Sequence, residues 1–268
     1  MSTTAAVIKE VPEEIPPRRR YDLSMLLGIG IAAAALISGI AATGVRLTYF
    51  FQPTGLLIVV GGTVGTIFLT TPRTALAHAT RRALELFSTP EHDPTGLIEE
   101  VMSFVKQGRA NGVMAIEPMI ETARHPFLKE SMQLAVDVPQ RADLEDALHA
   151  KLRLRERQGE ADAKVFEVAG GFAPTIGVLG TVVGLIDVLR QFSNLSSVAS
   201  GIGTAFVSTI YGLALANMVL LPAAYRIRAR AAEAFESHEL IIEGALCLYD
   251  RVHPSLVRER LEGYLRRA

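Results

Sequence analysis

The chain of 268 residues is 49% hydrophobic yet only 6% aromatic, contains no Trp, and carries a formal net charge of −1 at pH 7. With a pI of about 6.6 and a mean hydropathy of +0.29, it lacks the broad basic field that nucleic-acid binding uses. Its charges are also unevenly spread, because residues 23–43, 53–71, 168–186 and 202–221 contain none. Each window is close to the ~20 residues a helix needs to cross a ~30 Å hydrocarbon core, which excludes a purely soluble protein.

In chain order, residues 1–20 are rich in Ser, Thr, Glu and Pro (Pro12, Pro16, Pro17) and read as a disordered cytoplasmic tail. Arg18, Arg19 and Arg20 abut the first charge-free window, and the second window follows closely. Residues 21–71 therefore read as a retained transmembrane hairpin and not as a cleaved signal. Arg73, Arg81 and Arg82 follow the second window. Lys151, Arg153, Arg155 and Arg157 precede the third, and Arg226, Arg228 and Arg230 follow the fourth. The two opposite connections hold only Arg46 and Arg190. Since Lys and Arg accumulate on the cytoplasmic side, both termini are expected there.

Residues 72–166 are expected to form a cytoplasmic helical domain. Within it, 96–107 is amphipathic, with Ile98, Val101, Phe104 and Val105 on one face. Gly112 breaks the pattern, and a second helix over 113–124 stops ahead of Pro126, because the residue before Pro avoids the α region. From 144 to 164 the pattern is helical, charged and continuous with the third window, and 224–250 repeats this after the fourth. Residues 167–222 thus hold spans three and four, with long cytoplasmic extensions, and 223–268 form C-terminal helices. No strand alternation of useful length occurs. The expected fold is all-α: a polytopic membrane protein with four transmembrane helices.

Spans three and four are rich in Gly and hydroxyl residues. Gly177, Gly180, Gly184 and Asp187 share one stripe, and Gly201, Ala205, Ser208, Gly212 and Ala216 form another. Small residues let helices approach closely in lipid, and Ser/Thr hydroxyls bond across them. Either tight packing or a polar path accounts for Thr181, Thr209, Ser208 and Tyr211. No ionisable residue lies in mid-span; Asp187 sits at the outer end of span three and Glu167 at its inner end. A membrane ion site normally centres on an ionisable group, so the carboxylate must come from another subunit. Pro174 and Pro222 either merely kink or end their helices or act as flex points coupling the spans to their extensions. Cys247 is the only cysteine and reads as a small apolar residue. The six His show no metal-ligand spacing, and no nucleophile–base set or phosphate loop appears. No metal, cofactor or enzymatic activity is expected.

The stretches VAGGFAPTIGVLGTVVGLI (168–186) and AFVSTIYGLALANMVLLP (205–222) resemble the ion-channel subunit family that contains MotA/PomA of flagellar stators and the ExbB and TolQ transducers. FQPTGLLIVVGGTVGT (51–66), GRANGVMAIE (108–117), HPFL (125–128) and IIEGA (241–245) resemble the stator branch. The resemblance implies an ion-conducting stator subunit coupling H⁺ or Na⁺ flow to torque. It also implies five copies around two copies of a MotB/PomB-type partner, whose single span brings an ion-binding Asp. Arg109 and Glu117 would contact the rotor protein FliG. Ala110 stands where relatives commonly carry a second basic residue. The alternatives are an ExbB/TolQ-type energy transducer, disfavoured by four spans with Arg18–Arg20 inside, and a non-flagellar gliding or surface-motility motor.

Overall fold

The computed structural model describes residues 20–21, 23–44, 46–89, 93–190 and 195–265. The tail, with Pro12, Pro16, Pro17, Arg18 and Arg19, lies outside them. The described chain is helical: α1 (Leu23–Ala42), α2 (Pro53–Thr70), α3 (Arg73–Glu85), α4 (Pro94–Asn111), α5 (Glu117–Ile120), α6 (Pro126–Asp137), α7 (Arg141–Arg190), α8 (Leu195–Ala214), α9 (Leu221–Tyr249) and α10 (Pro254–Leu265). The two-residue strands Arg20–Tyr21 and Ser88–Thr89 pair with each other, a ladder too short for alternation to reveal.

Three helical stretches are long and apolar enough to cross a membrane: Leu47–Thr70, and parts of Arg141–Arg190 and Gly201–Tyr249; Leu27–Ala42 is a shorter apolar helix. The chain divides into two compact units.

One unit comprises Tyr21–Thr89 and Glu145–Leu240. Here α2 and α8 pack directly, and their closest approach is set by the absence of side chains. A Cβ on Gly55 would come within 2.6 Å of Ser208 Oγ, and one on Gly180 within 2.7 Å of Ser208 Cβ. Between α7 and α8, a Cβ on Gly212 would lie 2.6 Å from the Ala173 carbonyl, and one on Gly184 2.7 Å from the Ala205 nitrogen. By contrast Gly61 and Gly65 have nothing within 4 Å. The side chains of α2 that turn away from these contacts, including Leu57, Phe68 and Leu69, are exposed.

The described residues of the other unit are chiefly 93–144 and 241–265. Helix α4 starts where Asp93 accepts a 2.8 Å hydrogen bond from the Gly96 amide, with Pro94 in its first turn, a side-chain cap that satisfies an otherwise unpaired donor. It ends at Gly112, whose φ of +89° favours glycine. The helix expected over 113–124 is instead a 3₁₀ turn (Val113–Ile116) followed by the single turn α5. Pro118, inside that stretch, cannot continue an α-helical ladder, which limits its length. Phe104, Ile116, Phe127 and Met132 are fully buried. At the surface, Tyr249 donates to the Pro139 carbonyl (2.6 Å), and Arg141 Nε reaches Asp250 at 2.9 Å.

Candidate functional site

The hydroxyl-bearing residues of α7 and α8 do not form one line. Thr181, on α7, and Thr209, on α8, meet with their Oγ1 atoms 2.5 Å apart. Thr181 Oγ1 also lies 2.9 Å from the Ala205 carbonyl and 3.2 Å from that of Gly177. With two carbonyls around it, the Thr181 hydroxyl must spend its only proton on one acceptor. The Thr209 hydroxyl then supplies or receives the other bond. Both residues are half-buried. This pair is a polar contact between the two helices, and it exists because Gly177 and Gly212 allow the two backbones to touch.

Ser208 points elsewhere. It is fully buried, wedged against Gly55 and Gly180, and donates to the Thr204 carbonyl of its own helix (2.7 Å). That geometry packs three helices together. Tyr211 is likewise occupied: its hydroxyl donates to the Phe50 carbonyl and accepts from the Gln52 amide at 3.2 Å. It therefore ties α8 to the residues that enter α2. Gln52 Oε1 in turn accepts from Thr204 Oγ1 at 3.2 Å. Gln52 lies in the stretch 51–66 but does not stand out in the sequence, since a lone amide outside a charge-free window has no periodicity. Thr63, on α2, is almost fully buried and its hydroxyl has no hydrogen-bond partner.

Asp187 is exposed near the end of α7. Glu167 meets Arg228 Nη2 at 3.2 Å and Lys164 Nζ at 3.3 Å, while the same Arg228 bonds Glu160 through Nε at 3.1 Å. One guanidinium thus bridges two carboxylates of α7 to α9, directly beyond the charge-free windows.

Neither proline ends its helix. Pro174 lies inside the unbroken α7. Pro222 is the second residue of α9 and follows a π-helical turn, Leu215–Leu220, that joins α8 to α9 without a break. A proline has no N–H to offer residue i−4 and its ring collides with that carbonyl. The wider turn removes the collision, and the Leu221 amide bonds the Ala216 carbonyl five residues back. Asn217 Nδ2 takes the Leu213 carbonyl at 2.9 Å. Of the readings open for Pro222, a helix end is the one not observed; a π-bulge precedes the proline, a device found at functional sites.

Arg109 and Glu117 lie in the other unit, on either side of the Gly112 turn, and both are exposed. Arg109 Nη1 donates to the Arg251 carbonyl at 3.2 Å, across the tight turn where Arg251 has φ of +52°. Glu117 opens α5. Cys247 is buried, and no cluster of metal-ligating side chains occurs among the described residues.

Comparison with known proteins points in one direction. A family model for the MotA/TolQ/ExbB proton channel family matches residues 119–239. The chain is 28% identical to Motility protein A of Bacillus subtilis, over 91% of both chains. It is also 28% identical to the Chemotaxis protein PomA of Vibrio alginolyticus, over 91% of this chain and 95% of that one. Among solved structures it is similar to the flagellar MotAB stator complex from Bacillus subtilis, with a TM-score of 0.82 and 28% identity over 90% of this chain and 94% of that one. The fold also matches C. jejuni MotAB, with a TM-score of 0.85 at 22% identity over 91% and 95% of the two chains.

Proposed function

We propose that this chain is a member of the MotA/TolQ/ExbB proton channel family and serves as an ion-conducting stator subunit of the bacterial flagellar motor. It couples H⁺ or Na⁺ flow to torque on the rotor. The observation that carries the reading is the Thr181–Thr209 pair, a polar contact in a helix interface whose charge-free windows hold no carboxylate. Such an interface can pass an ion only if a partner brings the charge. A MotB/PomB-type protein with a single span and an Asp would supply it, with five copies of this chain around two of the partner.

In this reading four helices span the inner membrane with both termini cytoplasmic, as the placement of Arg and Lys supports. The Asp of the partner passes near the threonine pair, which accepts or ligates the ion as it leaves the carboxylate. Pro174 and the π-bulge before Pro222 let spans three and four change shape as the charge on that Asp changes. Arg109 and Glu117 present opposite charges to FliG, where exposed pairs of about 0–1 kcal/mol each allow rapid stepping.

Deletion of the coding gene tests this. Cells should still build flagella but stop swimming, and purified chain should bring down a single-span protein containing an Asp. Intact swimming after deletion would remove the flagellar assignment while leaving the fold untouched.

A further inference from the structure

Helix α3 follows directly on the end of α2, and its depth can be read from what it touches. It begins at Arg73, two residues past the charge-free window that ends at residue 71. Just beyond its end, Leu86 packs in one buried cluster with Ala163, Ala223 and Ile227. Ala163 lies five residues before the window that starts at 168, and Ile227 six residues after the one that ends at 221. At 1.5 Å per residue these partners sit no more than about 9 Å beyond the edge of the apolar zone. A helix of 13 residues pointing straight away from the membrane would end about 20 Å beyond it. Helix α3 therefore runs along the membrane surface, within or close to the headgroup layer.

Its two faces differ accordingly. Ala79 and Leu86 are buried against the bundle, and Arg230 holds the far end by donating to the carbonyls of Glu85 (2.7 Å) and Leu86 (2.9 Å). Positions 73, 77, 81 and 84 step by four and three along the opposite side, and all are exposed, as is Phe87 in the turn just past the helix. That stripe carries Arg73 and Arg81 with Leu84 and Phe87, the latter two 68% and 45% exposed. Phe68 and Leu69, near the end of α2, are exposed as well. The one acid of the helix, Glu85, pairs with Arg81 (3.5 Å) and Arg82 (3.1 Å), so the helix keeps a positive excess. A basic, partly apolar stripe at headgroup depth has the chemistry of an anionic lipid surface.

We propose that α3 is an interfacial helix that binds anionic phospholipid headgroups through Arg73 and Arg81 and seats Leu84 and Phe87 at the acyl boundary. The inference rests on the membrane reading above. It adds a lipid-class preference that spans of uncharged residues cannot have, since their contacts with acyl chains are the same whatever the headgroup. Each arginine near an anionic surface favours partitioning by a factor of about five, so the preference resides largely in two side chains.

The chain has no Trp, so Phe87→Trp places its one Trp on the stripe, and quenching is read as the difference from the same complex without the substitution. The full chain with its co-purifying partner is reconstituted in phosphatidylcholine vesicles in which either phosphatidylglycerol or phosphatidylcholine carries brominated acyl chains at equal fraction. Brominated phosphatidylglycerol should quench roughly twofold or more strongly than brominated phosphatidylcholine, and salt should erase the difference, as screening requires. Arg73→Gln/Arg81→Gln should lose the preference and Arg73→Lys/Arg81→Lys should keep it. Equal quenching by the two lipids would overturn the proposal, as would retained preference in the Gln pair. So would absence of quenching in vesicle-bound protein, which would mean that a second copy of the chain covers the stripe. Failure of the protein to float with vesicles at all would instead overturn the membrane reading.

Discussion

Thr181 and Thr209 are hydrogen-bonded to each other at 2.5 Å from two different helices, although 28 residues separate them in sequence. The bond is possible because a Cβ on Gly177 would already lie 3.2 Å from Gly212 Cα, so no side chain stands between the backbones at that level. Thr181 has a further acceptor in the Ala205 carbonyl, whereas Thr209 depends on Thr181.

Replacing either threonine with Val keeps the shape and removes the hydroxyl. Interhelical hydrogen bonds in membranes average about 0.6 kcal/mol, too little to prevent assembly. Ion flux should nevertheless fall steeply in Thr181→Val and Thr209→Val, as read by cytoplasmic pH or Na⁺ uptake with the partner co-expressed. Wild-type flux in the double variant would mean that the pair only packs helices.

Gly212→Ala and Gly184→Ala should destabilise the chain, because each added methyl meets backbone within 2.7 Å and backbone cannot rotate away. Overpacking of this kind costs roughly 1–3 kcal/mol, visible as a lower unfolding temperature in detergent. Gly61→Ala and Gly65→Ala, with open space around them, should leave that temperature unchanged. Equal effects at the four positions would contradict the packing described.

Pro222→Ala restores an amide that can donate to Met218, so the π-turn loses its cause and an α-helical register becomes available. Assembly should persist while swimming is lost, if the bulge couples the spans to α9. Normal swimming with a relaxed turn would show that the bulge is only an accommodation of the ring.

Arg258 anchors α10 to α4 through Glu99, with Nη1 2.7 Å from the carboxylate. Its hydrogen bond holds the Glu99 carboxyl below the ordinary value for glutamate. A lowered carboxylate contributes stability above its unfolded-state value and loses it as pH falls through the folded-state value. Glu99→Gln should therefore speed amide exchange in α10 at neutral pH. The difference from the unsubstituted chain should shrink on acidification below the ordinary glutamate range. A pH-independent difference would assign the anchoring to packing instead.

Charge reversal at Arg109 should disturb two things at once, since its guanidinium also holds the Arg251 carbonyl. Glu117→Lys has no such second role described, and should slow swimming without changing stability. Rescue of that variant by an opposite reversal on the rotor would identify the contact, and an unaltered swimming speed would remove Glu117 from it.

Residue order alone showed that this chain has helices apolar enough to cross a membrane, because stretches without a charge are a local property and need no packing partner. The same holds for the small-residue stripes of spans three and four, whose 3.6-residue period is local. The sequence could not decide which hydroxyls face one another. Thr181, Ser208, Thr209 and Tyr211 look alike as hydroxyls in apolar helices, yet rotation of α7 against α8 pairs the two threonines. The same rotation buries Ser208 against Gly55 and Gly180 and sends Tyr211 to Phe50 and Gln52. Nor could it reveal the π-bulge, since Pro222 is compatible with a helix end, a kink or a widened turn until the chain beyond it is held by other contacts. Charge density divides the chain near 167 and 223, whereas its compact units divide at 144/145 and 240/241, inside α7 and α9. Charge marks where water begins, and packing marks where side chains interlock; only the tertiary structure brings together the distant residues that set the second boundary.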